Sequence, residues 1–132
     1  MLNIAIMDSD TYVKKGVAHF FKSDMTRILS TSNIGDLTIN LQYDDIDVVV
    51  MELFSRDDNI FDCIEFIRNF PACWPNCKLV VYTQIMNPET TKLLVTVTGQ
   101  KDVVLKTNPI TRLVECVFSP WKGNVLQYGM VG

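Results

Sequence analysis

The sequence has 132 residues, 48% of them hydrophobic and 20% charged, enough for one domain that buries roughly two-thirds of its unfolded surface. Twelve Lys and Arg against fifteen Asp and Glu leave a net charge of −3, so no broad basic face is offered to a nucleic-acid backbone. No basic leader runs into a long apolar stretch, and no run reaches the ~20 apolar residues of a membrane span, so a cytoplasmic chain with no membrane partner is expected.

LNIAIM (2–7) predicts a first strand. DSD offers caps for a helix over TYVKKGVAHFFKS (11–23), with Val13, Val17, Phe20 and Phe21 on its inner face. TRILSTS (26–32) reads as a more polar strand near a sheet edge, after which Asp36 is the expected cap of a short helix with Leu37 and Leu41 inward. DVVVMEL (47–53) is the third strand and SRDDN a solvated loop. IFDCIEFIRNF (60–70) carries the helical stripe Ile60, Ile64 and Ile67, and Pro71 and Pro75 bracket the turn that follows.

CKLVVYT (77–83) is the fourth strand. Asn87 and Pro88 open a helix, yet its body, TTKLLVTVT, is rich in β-branched residues and leaves a strand open as well. KDVVLKT (101–107) is the fifth strand, and NPITRLVECVF (108–118) is a helix with Ile110, Leu113, Val114 and Val117 inward. Five strands, each followed by a helix, imply an α/β domain: a five-stranded parallel sheet of order 2-1-3-4-5, doubly wound by five helices in the flavodoxin-like manner. That domain is expected over 1–118. Residues 119–132, with Trp121, Val125, Leu126, Tyr128 and Met130, form a C-terminal extension or the start of a linker.

The four cysteines, Cys63, Cys73, Cys77 and Cys116, are irregularly spaced, and the lone His19 lies far from CWPNC. Without a second such pair, thiols in a reducing compartment are expected rather than a zinc site or a disulfide.

In a doubly wound sheet the working residues collect at the carboxyl ends of the strands. Those ends carry Asp8, Ser9 and Asp10 after strand one, Glu52 after strand three, Thr83 on strand four and Lys106 on strand five. This ordered set, within IAIMDSDTYVKKGV, DVVVMEL, LVVYT and DVVLKTNPITRLVECV, resembles a response-regulator receiver domain of CheY-like fold. The local phrasing fits the NarL/FixJ type, whose partner domain is a LuxR-type helix-turn-helix. The resemblance implies that an acid pair and a strand-three aspartate hold Mg²⁺, that this aspartate takes a phosphoryl group, and that Thr83 and Lys106 bind it.

The departures are informative. Ser9 stands where the second acid belongs, Glu52 where the acceptor aspartate belongs, Thr107 where many receivers have proline, and Val103 at the aromatic switch position. Asp8, Asp10 and Glu52 are weak Mg²⁺ candidates, and no cofactor is expected. Glu52 is longer by one methylene and should reach Lys106, imitating a phosphorylated site with one negative charge instead of ~1.5–2.

The resemblance therefore implies a non-catalytic pseudo-receiver of a LuxR-family transcription regulator. It would work as a homodimer, or as a heterodimer with another response regulator in the manner of the Rcs-type capsule regulators. DNA would be bound only through a domain outside this chain. Its dimer or partner face would fall on 88–98 and 102–118, with Leu93, Leu94, Val97 and Leu113. One alternative is a Mg²⁺-dependent phosphorylatable switch built on the same residues. Another is a flavodoxin-like ligand-binding domain or small enzyme. Against that stand the crowded acidic segment DSDTYVKKG, where a glycine-rich phosphate loop would be, and the lack of a nucleophile–histidine pair.

Overall fold

Alternation of side chains along buried parallel strands divides the interior into two layers. The computed structural model describes residues 1–84 and 87–119. Its strands are β1 (Leu2–Met7), β2 (Thr26–Thr31), β3 (Val48–Met51), β4 (Lys78–Thr83) and β5 (Val103–Leu105). The helices between and after them are α1 (Thr11–Phe21), α2 (Ile34–Tyr43), α3 (Ile60–Cys73), α4 (Pro88–Thr98) and α5 (Ile110–Phe118). All pairings are parallel and the order is β2-β1-β3-β4-β5, as the sequence predicts.

Ile4, Ile6, Val48, Val50, Val80, Tyr82 and Val104 face Val17 and Phe21 of α1 and Leu113 and Val117 of α5. Ala5, Met7, Val49, Met51, Leu79 and Val81 face α2, α3 and α4 through Leu37, Leu41, Cys63, Ile67, Phe70 and Leu94. Phe21 and Phe118 stack with centroids 5.8 Å apart, tying α1 to α5. The buried ammonium of Lys78 donates to the Cys116 and Ser119 carbonyls and to Ser119 Oγ, holding the C-terminus of α5 against the start of β4. A cation suits that helix end.

Several boundaries differ from the sequence reading. Phe20 is exposed, because the inner stripe of α1 runs through Val13, Val17 and Phe21. The cap of α2 is Asn33, whose side chain accepts the Asp36 N–H; Asp36 itself lies in the first turn. Asp58, read as part of a solvated loop, accepts the Ile34 N–H at 3.0 Å and so also serves α2. Pro71 does not end α3, which continues to Cys73. A proline in the last turn removes only a late ladder bond, and Phe66, Phe70 and Trp74 close over that turn with centroids 5.3–5.7 Å apart. β5 is only three residues long.

The segment after β4 is a helix. Asn87 caps it by accepting the Glu89 N–H, Pro88 occupies its first turn and Gly99 closes it at φ 73°. The extension-or-linker reading of 119–132 falls on residues 120–132, which lie outside the described residues.

Candidate functional site

Asp8, Glu52 and Lys106 continue the alternation of β1, β3 and β5 on the α1/α5 side, while Thr83 belongs to the opposite parity. Backbone ladders fix their places: Glu52 N–H donates to Met7 O (2.9 Å), Asp8 N–H to Thr31 O (3.1 Å) and Lys106 N–H to Thr83 O (2.8 Å). The four residues therefore meet at one end of the sheet, as the sequence led us to expect. They stand beside a cleft of about 440 Å³ that Ser9, Arg56 and Gln84 also line.

The tight ion pair there joins Lys106 Nζ to Asp8 Oδ2 at 2.7 Å. Glu52 Oε2 is farther from the ammonium, at 3.6 Å. The expected Glu52–Lys106 pair is therefore the longer of two contacts, because Asp8 takes the ammonium in hydrogen-bond geometry. The lysine stem bends over Tyr82, with Nζ 5.7 Å from the ring centroid, a cation–π contact that helps hold it there. Glu52 is only 4% exposed. Its Oε1 accepts a long 3.4 Å hydrogen bond from the Gln84 N–H, while Oε2 and the Thr83 hydroxyl are buried with no hydrogen-bond partner. Burial raises the Glu52 carboxyl above the usual range, and Lys106 only partly offsets it.

The donors that would hold magnesium are otherwise engaged. Asp8 Oδ1 accepts the Asp10 N–H at 2.8 Å, Oδ2 is on Lys106, and Asp10 Oδ1 caps α1 through Tyr12 and Val13. Ser9 Oγ accepts the Arg56 N–H at 3.1 Å. A hard divalent ion needs several oxygen ligands, and no group of three or more His, Cys, Asp or Glu is placed to hold a metal ion among the described residues. Of the Glu52 carboxylate, Oε2 is left without a hydrogen bond, and it is buried. The residues do not fit magnesium in this arrangement.

Three contributors were not singled out from the sequence. Arg56 ties the β3–α3 loop to the β1–α1 loop, Gln84 supplies the N–H on Glu52, and Tyr82 lies under Lys106. Gln84 and Tyr82 flank Thr83 and were findable from its position; Arg56, in a loop, carried no signal.

The face expected on α4 and α5 is corrected in two places. Leu94 and Leu113 belong to the core, at 5% and 0% exposure, whereas Leu93 and Val97 are exposed. The former lie on helix stripes turned to the sheet. Cys63 and Cys77 are buried and Cys73 is exposed at the end of α3. No helix among the described residues is long and apolar enough to cross a membrane.

No protein-family model matches the sequence, and no curated protein does. Solved structures do match. The isolated receiver domain of RcsB from Salmonella enterica serovar Typhimurium superposes with a TM-score of 0.69 at 21% identity, covering 98% of this chain and 90% of that one. A Burkholderia pseudomallei response regulator with a phosphorylated aspartic acid gives 0.74 at 12% identity, over 98% and 73% of the two chains. A signal receiver domain of an HD domain-containing protein from Pseudomonas fluorescens gives 0.73 at 9% identity, over 99% and 98%. These likenesses show the fold of a response-regulator receiver domain.

Proposed function

We propose that this chain is a receiver-like regulatory module that works without accepting a phosphoryl group. The observation that carries the reading is the state of the acceptor position. Glu52 is buried at 4% exposure, with its acidity weakened by that burial, while Lys106 is committed to Asp8 at 2.7 Å. Attack on a phosphodonor needs an ionised, accessible carboxylate and a counter-charge released to meet the incoming oxygens. Glu52 is buried, and Lys106 is held on Asp8.

The module acts through association, as a homodimer or with a second response regulator, and DNA is contacted by a LuxR-type domain outside this chain. The RcsB structures are consistent with that architecture: one matching RcsB is bound to the promoter rprA, and another shows two RcsB dimers on two DNAs.

Intact mass after incubation with phosphoramidate and Mg²⁺ tests the central point, with Glu52→Asp run alongside. The native chain should keep its mass. A stable, Mg²⁺-dependent phosphoryl adduct on the native chain would overturn the reading in favour of a working switch. An adduct on the variant alone would mean that Glu52 by itself silences an otherwise competent site.

A further inference from the structure

Between α3 and α4 runs an apolar groove of about 200 Å³, walled by Leu53, Phe54, Ile60, Ile64, Leu93 and Val97. Leu93 is 62% exposed. Phe61, one residue on from the groove wall, is 75% exposed, a large ring left in water that burial would stabilise. A protruding aromatic beside an apolar hollow is a knob next to a hole. On a single molecule neither can satisfy the other; on two copies related by a two-fold axis each satisfies its counterpart.

The polarity of the helices makes this arrangement self-complementary. α3 and α4 both lead from the carboxyl end of one parallel strand to the amino end of the next, so they run in the same direction. A two-fold axis across the groove at the level of Ile64 and Leu93 sets the helices of the two copies antiparallel. Phe61, three residues before Ile64, then lies roughly 4.5 Å to one side of that axis. It meets the partner near the level of Val97, which lies about 6 Å to the other side. Glu89 and Arg68 obey the same rule, four residues before Leu93 and four after Ile64, about 6 Å on opposite sides. Glu89 has no cation within ion-pair distance among the described residues, while Arg68 holds only an exposed contact to Glu65 on its own helix. Each copy thus presents an acid without an intramolecular cation, Glu89, across the groove from the other's Arg68, whose own contact to Glu65 is exposed.

We infer that two copies of this chain pair through the α3–α4 groove, Phe61 of each seated in the groove of the other and Glu89 facing Arg68 at both ends. The inference rests on the proposed module acting by association, and gives that association a surface. It keeps the exposed Leu93 and Val97 of the expected face and replaces the buried Leu94 and Leu113 with α3.

Sedimentation velocity of the chain over a wide concentration range is the test. The native protein should dimerise. Phe61→Ser and Leu93→Ser, both at exposed positions, should each weaken the dimer about a hundredfold, as hot-spot truncations do. Glu89→Arg alone and Arg68→Glu alone set like charges opposite each other and should each weaken it about tenfold. The double variant should return to within about threefold of native, because the swap restores both pairs. A dimer indifferent to Phe61→Ser and Leu93→Ser, or a double swap no tighter than the singles, would overturn the groove while leaving the phosphorylation-independent module standing. A native chain that stays monomeric throughout would also overturn it. Phosphoryl uptake in the mass experiment would overturn the module reading alone.

Discussion

At Glu52 the extra methylene moves charge into a place that cannot solvate it. The backbone N–H is fixed on Met7 O, so the side chain cannot retreat along the strand end, and its Oε2 is buried without a hydrogen bond. Burial raises this carboxyl in the folded state. A raised folded pKa means that the native chain binds more protons than the unfolded one, so the stability linked to this group is complete below the ordinary range of a glutamate. It is lost as pH rises through the elevated value. Glu52→Gln keeps the side chain neutral throughout. Its melting temperature should exceed that of the native chain at pH 7, and the gap should close as pH falls to about 4.5. A gap that widens on acidification would refute this account. Lys106 is a different case, since it neutralises Asp8 at 2.7 Å and Glu52 at 3.6 Å. Lys106→Met strands both carboxylates and should cost about 3 kcal/mol in urea unfolding. Adding Asp8→Asn should recover a good part of that loss.

α4 shows what caps can do for a poor helix sequence. Thr90, Thr91, Val95, Thr96, Val97 and Thr98 are β-branched, and each loses side-chain freedom in a helix. Two caps offset that loss. Asn87 satisfies the Glu89 N–H at 2.8 Å, and Gly99 takes the left-handed φ of 73° that ends the helix. Asn87→Ala should therefore cost about 1 kcal/mol, and Gly99→Ala a similar amount from left-handed strain alone, both by chemical denaturation. The start was legible in Asn87 and Pro88, but the body of the segment left helix and strand open, and Gly99 as its end was not read. Only the parallel β4–β5 pairing requires a crossover there. Asn33 and Asp36 were harder still, because two short polar side chains three residues apart can exchange the roles of cap and first-turn acid. Pro71 misled for a related reason. The aromatic stripe of Phe66, Phe70 and Trp74 that carries the helix past it is spaced four residues apart, a period the proline obscures.

Across the whole molecule, the strand order could be read because near-continuous apolar runs alternate with helical stripes. The site could be read as far as strand ends go. Which carboxylate holds Lys106 could not: Asp8 lies 98 residues away on a strand separated from β5 by β3 and β4, and only side-chain length and burial decide the choice. The same division into two layers has a measurable consequence in the thiols. Cys63 and Cys77 both sit in the α2/α3/α4 layer, and burial pushes each thiol up to about 12, so native thiolate is scarce at neutral pH. Cys73, exposed at the end of α3, needs no opening to react. With iodoacetamide, Cys73 should label fast, whereas Cys63 and Cys77 should wait for the chain to open. If the sheet and its two layers form one cooperative unit, as expected for a domain this size, the protection of Cys63 and Cys77 should fall together with urea and follow global stability. Lys78 strengthens that expectation for Cys77. Its buried ammonium bonds α5 from the residue next to Cys77, so peeling that end of β4 from the sheet would also break the anchor of α5. Cys77 labelling at low urea while Cys63 stays protected would show instead that the start of β4 opens on its own, and that the Lys78 anchor does not couple the two layers.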